Sequence, residues 1–247
     1  MKKLNHFLLA VLMVTGVTFQ SCDDNDYYSI GDIAVDWVTV NVQGAHTYDF
    51  TADRWGKLWP AATSYPGYSP IDGQRAIISF NPLYDNYPQG YDCSVKLTGV
   101  REILTKQIEE LTAENEEEYG NDPANIYEGN VWISRSGYLN IIFKQNLPDK
   151  VKHRVSLVSN TTVAPAEDGY IHLEYRYNTY GDTTDRWVYG AVSFNLNSLD
   201  ITPDTKGIKV KVNAAESGEQ EITFDLKTTT SSPDKLLQKD FSKMEAR

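Results

Sequence analysis

The sequence predicts an all-β protein, a small barrel followed by an immunoglobulin-like β-sandwich, and three observations predict it. Short runs of alternating or β-branched residues recur along the chain, separated by Gly-, Pro- and Asp-containing turns. About five such runs fall in residues 31–103, a density that suits a small barrel better than an open sheet. Seven more fall in residues 125–229, the spacing of an immunoglobulin-like sandwich, although the Cys–Trp–Cys core of antibody domains is absent. The composition is that of a globular chain: 247 residues, 40% hydrophobic and 23% charged, away from the signature of disorder.

The first 21 residues read as a leader. Lys2 and Lys3 form a basic start, and Phe7 to Val14 is an apolar run too short to span a bilayer. Phe19-Gln20-Ser21-Cys22 follows, and it resembles a bacterial lipobox, in which cysteine becomes the acylated first residue. The alternatives are an ordinary secretory signal with a chance cysteine, or a membrane anchor. Residues 22–30 then read as a tether. Its acids Asp23, Asp24 and Asp26 resemble the export signal of surface lipoproteins in Bacteroides-like bacteria. The expected location is the outer membrane, facing outward, with the membrane as partner through the lipid.

Within the barrel region the expected strands include Ile33–Val42, Thr47–Ala52, Gln74–Phe80 and Tyr91–Val100. The last alternates cleanly, with Tyr91, Cys93, Val95 and Leu97 on one face. Residues 53–70 hold three prolines and two glycines and are expected to form a loop. This loop is the candidate binding segment, through Trp55, Trp59, Tyr65 and Tyr68, because flat side chains on a stiff backbone suit stacking on sugar or peptide. Trp59, before a proline, is expected to plug the barrel end, and Trp55, beside Asp53 and Arg54, to be the more exposed ring.

Residues 104–124 are expected to be an interdomain connector along which the two halves can be separated. Thr112 is positioned to cap a short helix through Ala113, Glu114 and Asn115, Gly120 to end it, and Glu116, Glu117 and Glu118 to form a solvated face. The sandwich strands are expected at Val131–Ser134, Tyr138–Phe143, His153–Val158, Tyr170–Tyr177, Trp187–Phe194, Ile208–Val212 and Ile222–Leu226. Residues 230–247 form a polar tail.

Several short strings occur in order: Leu58-Trp59-Pro60-Ala61, Pro66-Gly67-Tyr68, Asp72-Gly73-Gln74-Arg75, Leu104-Thr105-Lys106, Leu111-Thr112-Ala113-Glu114-Asn115, Gly120-Asn121-Asp122-Pro123, Tyr138-Leu139-Asn140 and Gly190-Ala191-Val192-Ser193-Phe194. Together they resemble the NigD-like lipoprotein family of Bacteroides-type bacteria. Glu118-Tyr119 departs from the smaller residues expected there. The resemblance implies an OB-like barrel, a C-terminal β-sandwich and, through the bacteriocin gene cluster behind the family name, an immunity-type role. It carries over no catalytic residue.

Charge and motifs narrow the function classes. Acids outnumber bases 34 to 23, for a net charge of -11, so nucleic acid is not an expected partner. Two cysteines give neither a disulfide scaffold nor a cysteine zinc site. His46, His153 and His172 are scattered, His172 on a solvated strand face, and Cys93 lies on an apolar one. No HExxH or CxxC spacing occurs. No catalytic, cofactor-binding or metal-binding residue is expected. The reading is a non-enzymatic envelope lipoprotein that binds an unidentified protein, with a glycan-binding surface module as the alternative and a hydrolase as the third. Mass spectrometry of the native protein should find acyl mass on Cys22, and Cys22→Ala should abolish membrane fractionation. A cleaved, unmodified, soluble protein would end the lipidation reading.

Overall fold

The computed structural model describes residues 32–44, 47–84 and 87–225. Cys22, Asp23, Asp24, Asp26, His46 and the 230–247 tail lie outside them. Five strands close the first unit: β1 (Ala34–Gly44), β2 (Thr47–Ala52), β3 (Gly56–Thr63), β4 (Arg75–Leu83) and β5 (Cys93–Glu102). Their order β1-β2-β3-β5-β4 returns to β1, which leaves no sheet edge unpaired. Alternation fills the interior, with Val38, Val40, Phe50, Leu58, Ile78, Phe80, Val95 and Leu97 all inaccessible to solvent.

One barrel strand differs from the expectation. Residues 56–63 form β3, although proline and glycine pointed to a loop. The antiparallel pairing of β3 with β2 ends at Leu58, so Pro60 lies past the last residue bonded on that side. Its parallel pairing with β5 shifts register between Pro60 and Ala62. A missing N–H is tolerated where a strand has one bonded neighbour and a bulge.

The second unit stacks two sheets. It contains β6 (Leu104–Gln107), β7 (Glu109–Leu111), a one-turn helix α1 (Glu116–Tyr119), β8 (Asn125–Ile133), β9 (Tyr138–Asn146), β10 (Arg154–Asn160), β11 (Tyr170–Asn178), β12 (Trp187–Asn195), β13 (Gly207–Ala214) and β14 (Gly218–Asp225). One sheet runs β14-β13-β11-β10-β7 and the other β6-β12-β9-β8. Leu139, Ile141, Phe143, Val155, Leu157, Leu173, Val192, Phe194 and Val210 fill the space between them.

The expected connector is part of this sandwich. β6 pairs in parallel with β12, and β7 in parallel with β10. Ile108, between them, packs against the sandwich core, so the chain crosses from one sheet to the other in a single step. The helix also starts later than expected. Thr112 heads a turn in which its N–H donates to Asn115 Oδ1 at 2.8 Å, and Asn115 takes the N-cap position of α1. Gly120 ends the helix at φ 63°, a conformation that favours glycine. Glu116, Glu117 and Glu118 are exposed, while Tyr119 turns inward against Leu111 and Val158.

The four-stranded sheet is buried on both faces because the barrel docks on its outer side. Leu139, Ile141 and Phe143 of β9 point into the sandwich, whereas Asn140 and Ile142 point at the barrel. At the centre of this contact Arg75, fully buried, makes a bidentate pair with Asp53 at 3.0 and 2.8 Å. Its Nη1 also donates to Thr39 Oγ1 at 3.1 Å, and its Nε to Asn140 Oδ1 at 3.3 Å. Trp132 Nε1 donates to the Asp53 carboxylate from the sandwich side at 3.2 Å, and Ser193 Oγ donates to Asn140 Oδ1 at 2.7 Å. Trp37 meets Trp132 edge-on at 4.9 Å, with Ile103, Ile142 and Ala191 around them. Tyr138 donates to the Gly73 carbonyl at 2.9 Å. At that glycine, with φ 73°, an added Cβ would stand 3.1 Å from the same hydroxyl.

A desolvated charge that loses its partner costs about 3–5 kcal/mol. Asp53→Asn should therefore lower stability by about that amount, read by chemical denaturation. Wild-type calorimetry should show one transition for barrel and sandwich together; two well-separated transitions would show that the halves do not fold as one unit.

Candidate binding face

Docking of the sandwich divides the outer face of β1 and β2. Trp37, Thr39 and Asp53 are covered by it, and the outward residues further along, Asn41, Gln43, Asp49 and Thr51, are not part of that contact. Lys57 and Trp59 continue this face on β3, and Tyr91 leans over it from the segment before β5. Asn41 and Asp49 stand directly opposite each other in the β1–β2 ladder.

Asp49 is the hub of the face. Its side chain is inaccessible to solvent, yet both oxygens are satisfied: Asn41 Nδ2 donates at 2.6 Å, Gln43 Nε2 at 2.5 Å and the Tyr91 hydroxyl at 2.9 Å. Lys57 Nζ lies 3.3 Å from the same carboxylate and 4.7 Å from the Tyr91 ring centre. Trp59 meets Tyr91 edge-on at 5.3 Å. A buried carboxylate thus fixes two amides, an ammonium and a phenol around two half-buried rings. Such an arrangement orients polar groups and offers flat apolar surface, and it can hold a ligand by stacking and hydrogen bonding. The outer face of the second and third strands of a barrel in this order is a recurrent ligand platform.

The four aromatic residues named from sequence do not form one platform. Trp55 packs edge-on against Phe80 at 5.4 Å and touches the barrel core, and Trp59 faces outward on Tyr91, the reverse of the order the sequence suggested. Tyr68 closes the barrel against Tyr48 at 5.6 Å, with Tyr65 tilted over it at 6.4 Å. Burial, with Glu102 nearby, pushes the Tyr68 phenol well above its ordinary range. Sequence reasoning missed Asn41, Asp49, Lys57 and Tyr91 as one group. The available signal was register, since Asn41 and Asp49 are outward residues of two strands that are consecutive in the chain.

Other titratable groups serve the scaffold. His153 is buried, with Nδ1 2.6 Å from the Tyr177 hydroxyl and Nε2 2.5 Å from the Asp182 carbonyl. His172 is exposed on the outer sheet face, as its alternation predicts, and pairs with Asp168 at 3.0 Å. Lys209, the Tyr170 N–H and His172 hold the Asp168 carboxyl well below the usual carboxylate range. Burial raises the Cys93 thiol, so it stays protonated. A groove of about 530 Å³ runs over this outer sheet between loop residues Val163–Ala166 and the side chains of Glu174 and Lys211. Both of those are engaged in ion pairs, with Arg176 and Glu219. Among the described residues no cluster of three or more His, Cys, Asp or Glu side chains is placed to hold a metal ion.

A closed five-stranded barrel docked on a two-sheet sandwich defines a two-domain all-β scaffold, and comparison with known proteins identifies which one. The model of the NigD-like N-terminal OB domain matches residues 37–103, and that of the NigD-like C-terminal beta sandwich domain matches residues 107–226. The chain belongs to the NigD-like family. A protein of unknown function from Bacteroides vulgatus is similar over 86% of this chain and 99% of its own, with 28% identity and a TM-score of 0.73. A protein described as toxin-related from Parabacteroides distasonis is 33% identical over 83% of this chain and 97% of its own, with a TM-score of 0.66. A NigD-like immunity protein from Bacteroides caccae shares the fold at 16% identity and a TM-score of 0.55, over 81% of this chain and all of its own. No curated protein matches the chain.

The packing sets the outcome of two substitutions. Trp55→Ala should lower stability by about 1.5–3 kcal/mol through lost apolar burial. Trp59→Ala should lower it by only about 1 kcal/mol, the value of one aromatic pair. Thermal melts of the two variants check this, and equal destabilisation would place Trp59 in the core.

Proposed function

We propose that the chain is a lipid-anchored outer-membrane protein, displayed on the cell surface through the Asp23–Asp26 run, that acts by binding rather than by catalysis. Its partner docks on the barrel face built by Asn41, Gln43, Asp49, Lys57, Trp59 and Tyr91. The observation that carries this reading is the division of that face: the sandwich covers one half, and the other presents Trp59 and Tyr91 beside polar groups fixed by a buried carboxylate. A protein partner of the bacteriocin type is favoured by membership of the family and by the words immunity and toxin attached to two of its solved relatives.

A glycan is the second reading, favoured by the Trp59–Tyr91 pair with the Asn41 and Gln43 amides within reach of one another, since sugar rings stack on aromatic faces and bond to amides. Cells displaying the protein should survive culture supernatants of competing strains that kill cells lacking it. Trp59→Ala combined with Lys57→Ala should remove that protection while leaving the amount of membrane-bound protein unchanged. Absence of protection, together with Trp59-dependent binding to a panel of bacterial polysaccharides, would move the assignment to glycan. Protection that survives both substitutions would remove the function from this face.

A further inference from the structure

The barrel end at which the chain arrives from Cys22 carries a different set of side chains from the binding face. Ile33, just before β1, is 55% exposed, and Tyr84 and Tyr87, in the β4–β5 segment, are 65% and 48% exposed. The pairing of Ala34 with Phe80 sets the incoming chain against the last residues of β4. Asn81 Nδ2 donates to the Asp32 carbonyl at 3.1 Å and fastens it there. Trp55 belongs to the same end, through its contact with Phe80 and the β2–β3 turn. Ile33, Ala34, Val35, Arg54 and Trp55 border an open trough of about 700 Å³.

This end is held stiffly. Asp36, with no solvent exposure, accepts the backbone N–H groups of Arg54 at 2.9 Å and Trp55 at 3.1 Å. The Arg54 guanidinium donates to the Val35 carbonyl at 2.8 Å, which lays its stem along the trough. Two tyrosines, a tryptophan, an isoleucine and an arginine are therefore gathered where the anchor segment meets the body.

We infer that this end of the barrel rests on the lipid–water interface of the membrane that holds the anchor, an inference that depends on lipidation of Cys22. Nine residues separate Cys22 from Asp32, and even fully extended they reach only about 35 Å. The barrel end at Asp32 is thus tethered close to the lipid. Tyr and Trp favour the interfacial layer because an apolar ring and a polar tip are both satisfied there, and Arg suits it with its stem in apolar contact and its charge in the headgroups. A patch of this size binds weakly by itself, but a short tether makes the contact intramolecular, so a weak patch suffices to orient the body. The barrel then lies against the membrane by its β4–β5 end, with the Trp59 face to the side.

The test uses the full lipidated protein reconstituted in phosphatidylcholine vesicles. Ile33→Cys, Tyr84→Cys and Val163→Cys variants, each carrying a polarity-sensitive fluorophore, report the barrel end and the sandwich; Cys93 is buried and stays unlabelled. The fluorophore should shift to the blue at 33 and 84 on reconstitution and stay unshifted at 163. Brominated phosphatidylcholine should quench a tryptophan component in the wild type that is absent from Trp55→Phe, which keeps an aromatic ring on Phe80. Protein that floats with the vesicles while positions 33 and 84 read as water and Trp55 is unquenched overturns the inference and leaves the anchor standing. Protein that fails to float removes the anchor and this inference with it. A blue shift that disappears when each vesicle holds a single copy identifies a second copy of the chain as the occupant and also overturns it.

Discussion

Arg75 and Asp53 form an ion pair in a place where neither can be hydrated. A guanidinium without water needs its donors met by fixed acceptors, and here Asp53 takes two, Thr39 one and Asn140 one. Those acceptors come from both domains, so satisfying one charge fixes the start of β4, the end of β2, and β9 together. Asp53 has the converse requirement, and Trp132 meets part of it from the sandwich. Separating the domains would leave a buried-type ion pair half satisfied and would expose Trp37, Trp132 and Ile142. The two units therefore behave as one body, and any ligand on the barrel is presented in an orientation that the sandwich dictates.

The same constraint explains why the middle sheet tolerates polar residues inside it. Asn140 and Ser193 lie on adjacent strands with no access to solvent, yet Asn140 Oδ1 accepts from both Ser193 Oγ and Arg75 Nε. Had Asn140 been apolar, the Arg75 Nε and the Ser193 hydroxyl would both lose their acceptor. Networks of this kind stabilise only when complete, which makes the contact specific for this barrel on this sheet.

Much of the fold was legible because alternation is a local signal. Tyr138–Phe143 and Tyr170–Tyr177 announce strands through their own side chains, and the structure carries them on to Asn146 and Asn178. Strand β3 was hidden because the rule against proline in strands holds for a strand bonded on both sides, and Pro60 is bonded on one. Strands β6 and β7 were hidden for another reason. Each is three or four residues long and pairs in parallel with a strand far away in sequence, so neither carries a period to detect. The candidate face was half legible: Trp59 is visible as an aromatic residue in a Pro- and Gly-rich segment, whereas the place of Asp49 exists only once the β1–β2 register brings Asn41 opposite it. Arg75 belongs to the string Asp72-Gly73-Gln74-Arg75 and Asp53 stands two residues before Trp55, but nothing in a sequence distinguishes a buried charge from a solvated one.

The crossing at Ile108 has a consequence for the order in which the molecule can be completed. Whether the chain is synthesised or translocated, it appears N-terminus first. The barrel strands close on themselves from residues 34–102 alone. Strand β7 must then wait for β10, beginning at residue 154, and β6 for β12, beginning at residue 187. During that interval, the segment that seams the two sheets together has unpaired backbone on both sides and Ile108 uncovered. Long-range parallel pairing of this sort is slow to form and exposed to wrong partners while it waits. Folding of the whole body is thus gated by the arrival of β12, and a chain truncated before residue 187 would hold a finished barrel attached to an open, adhesive seam.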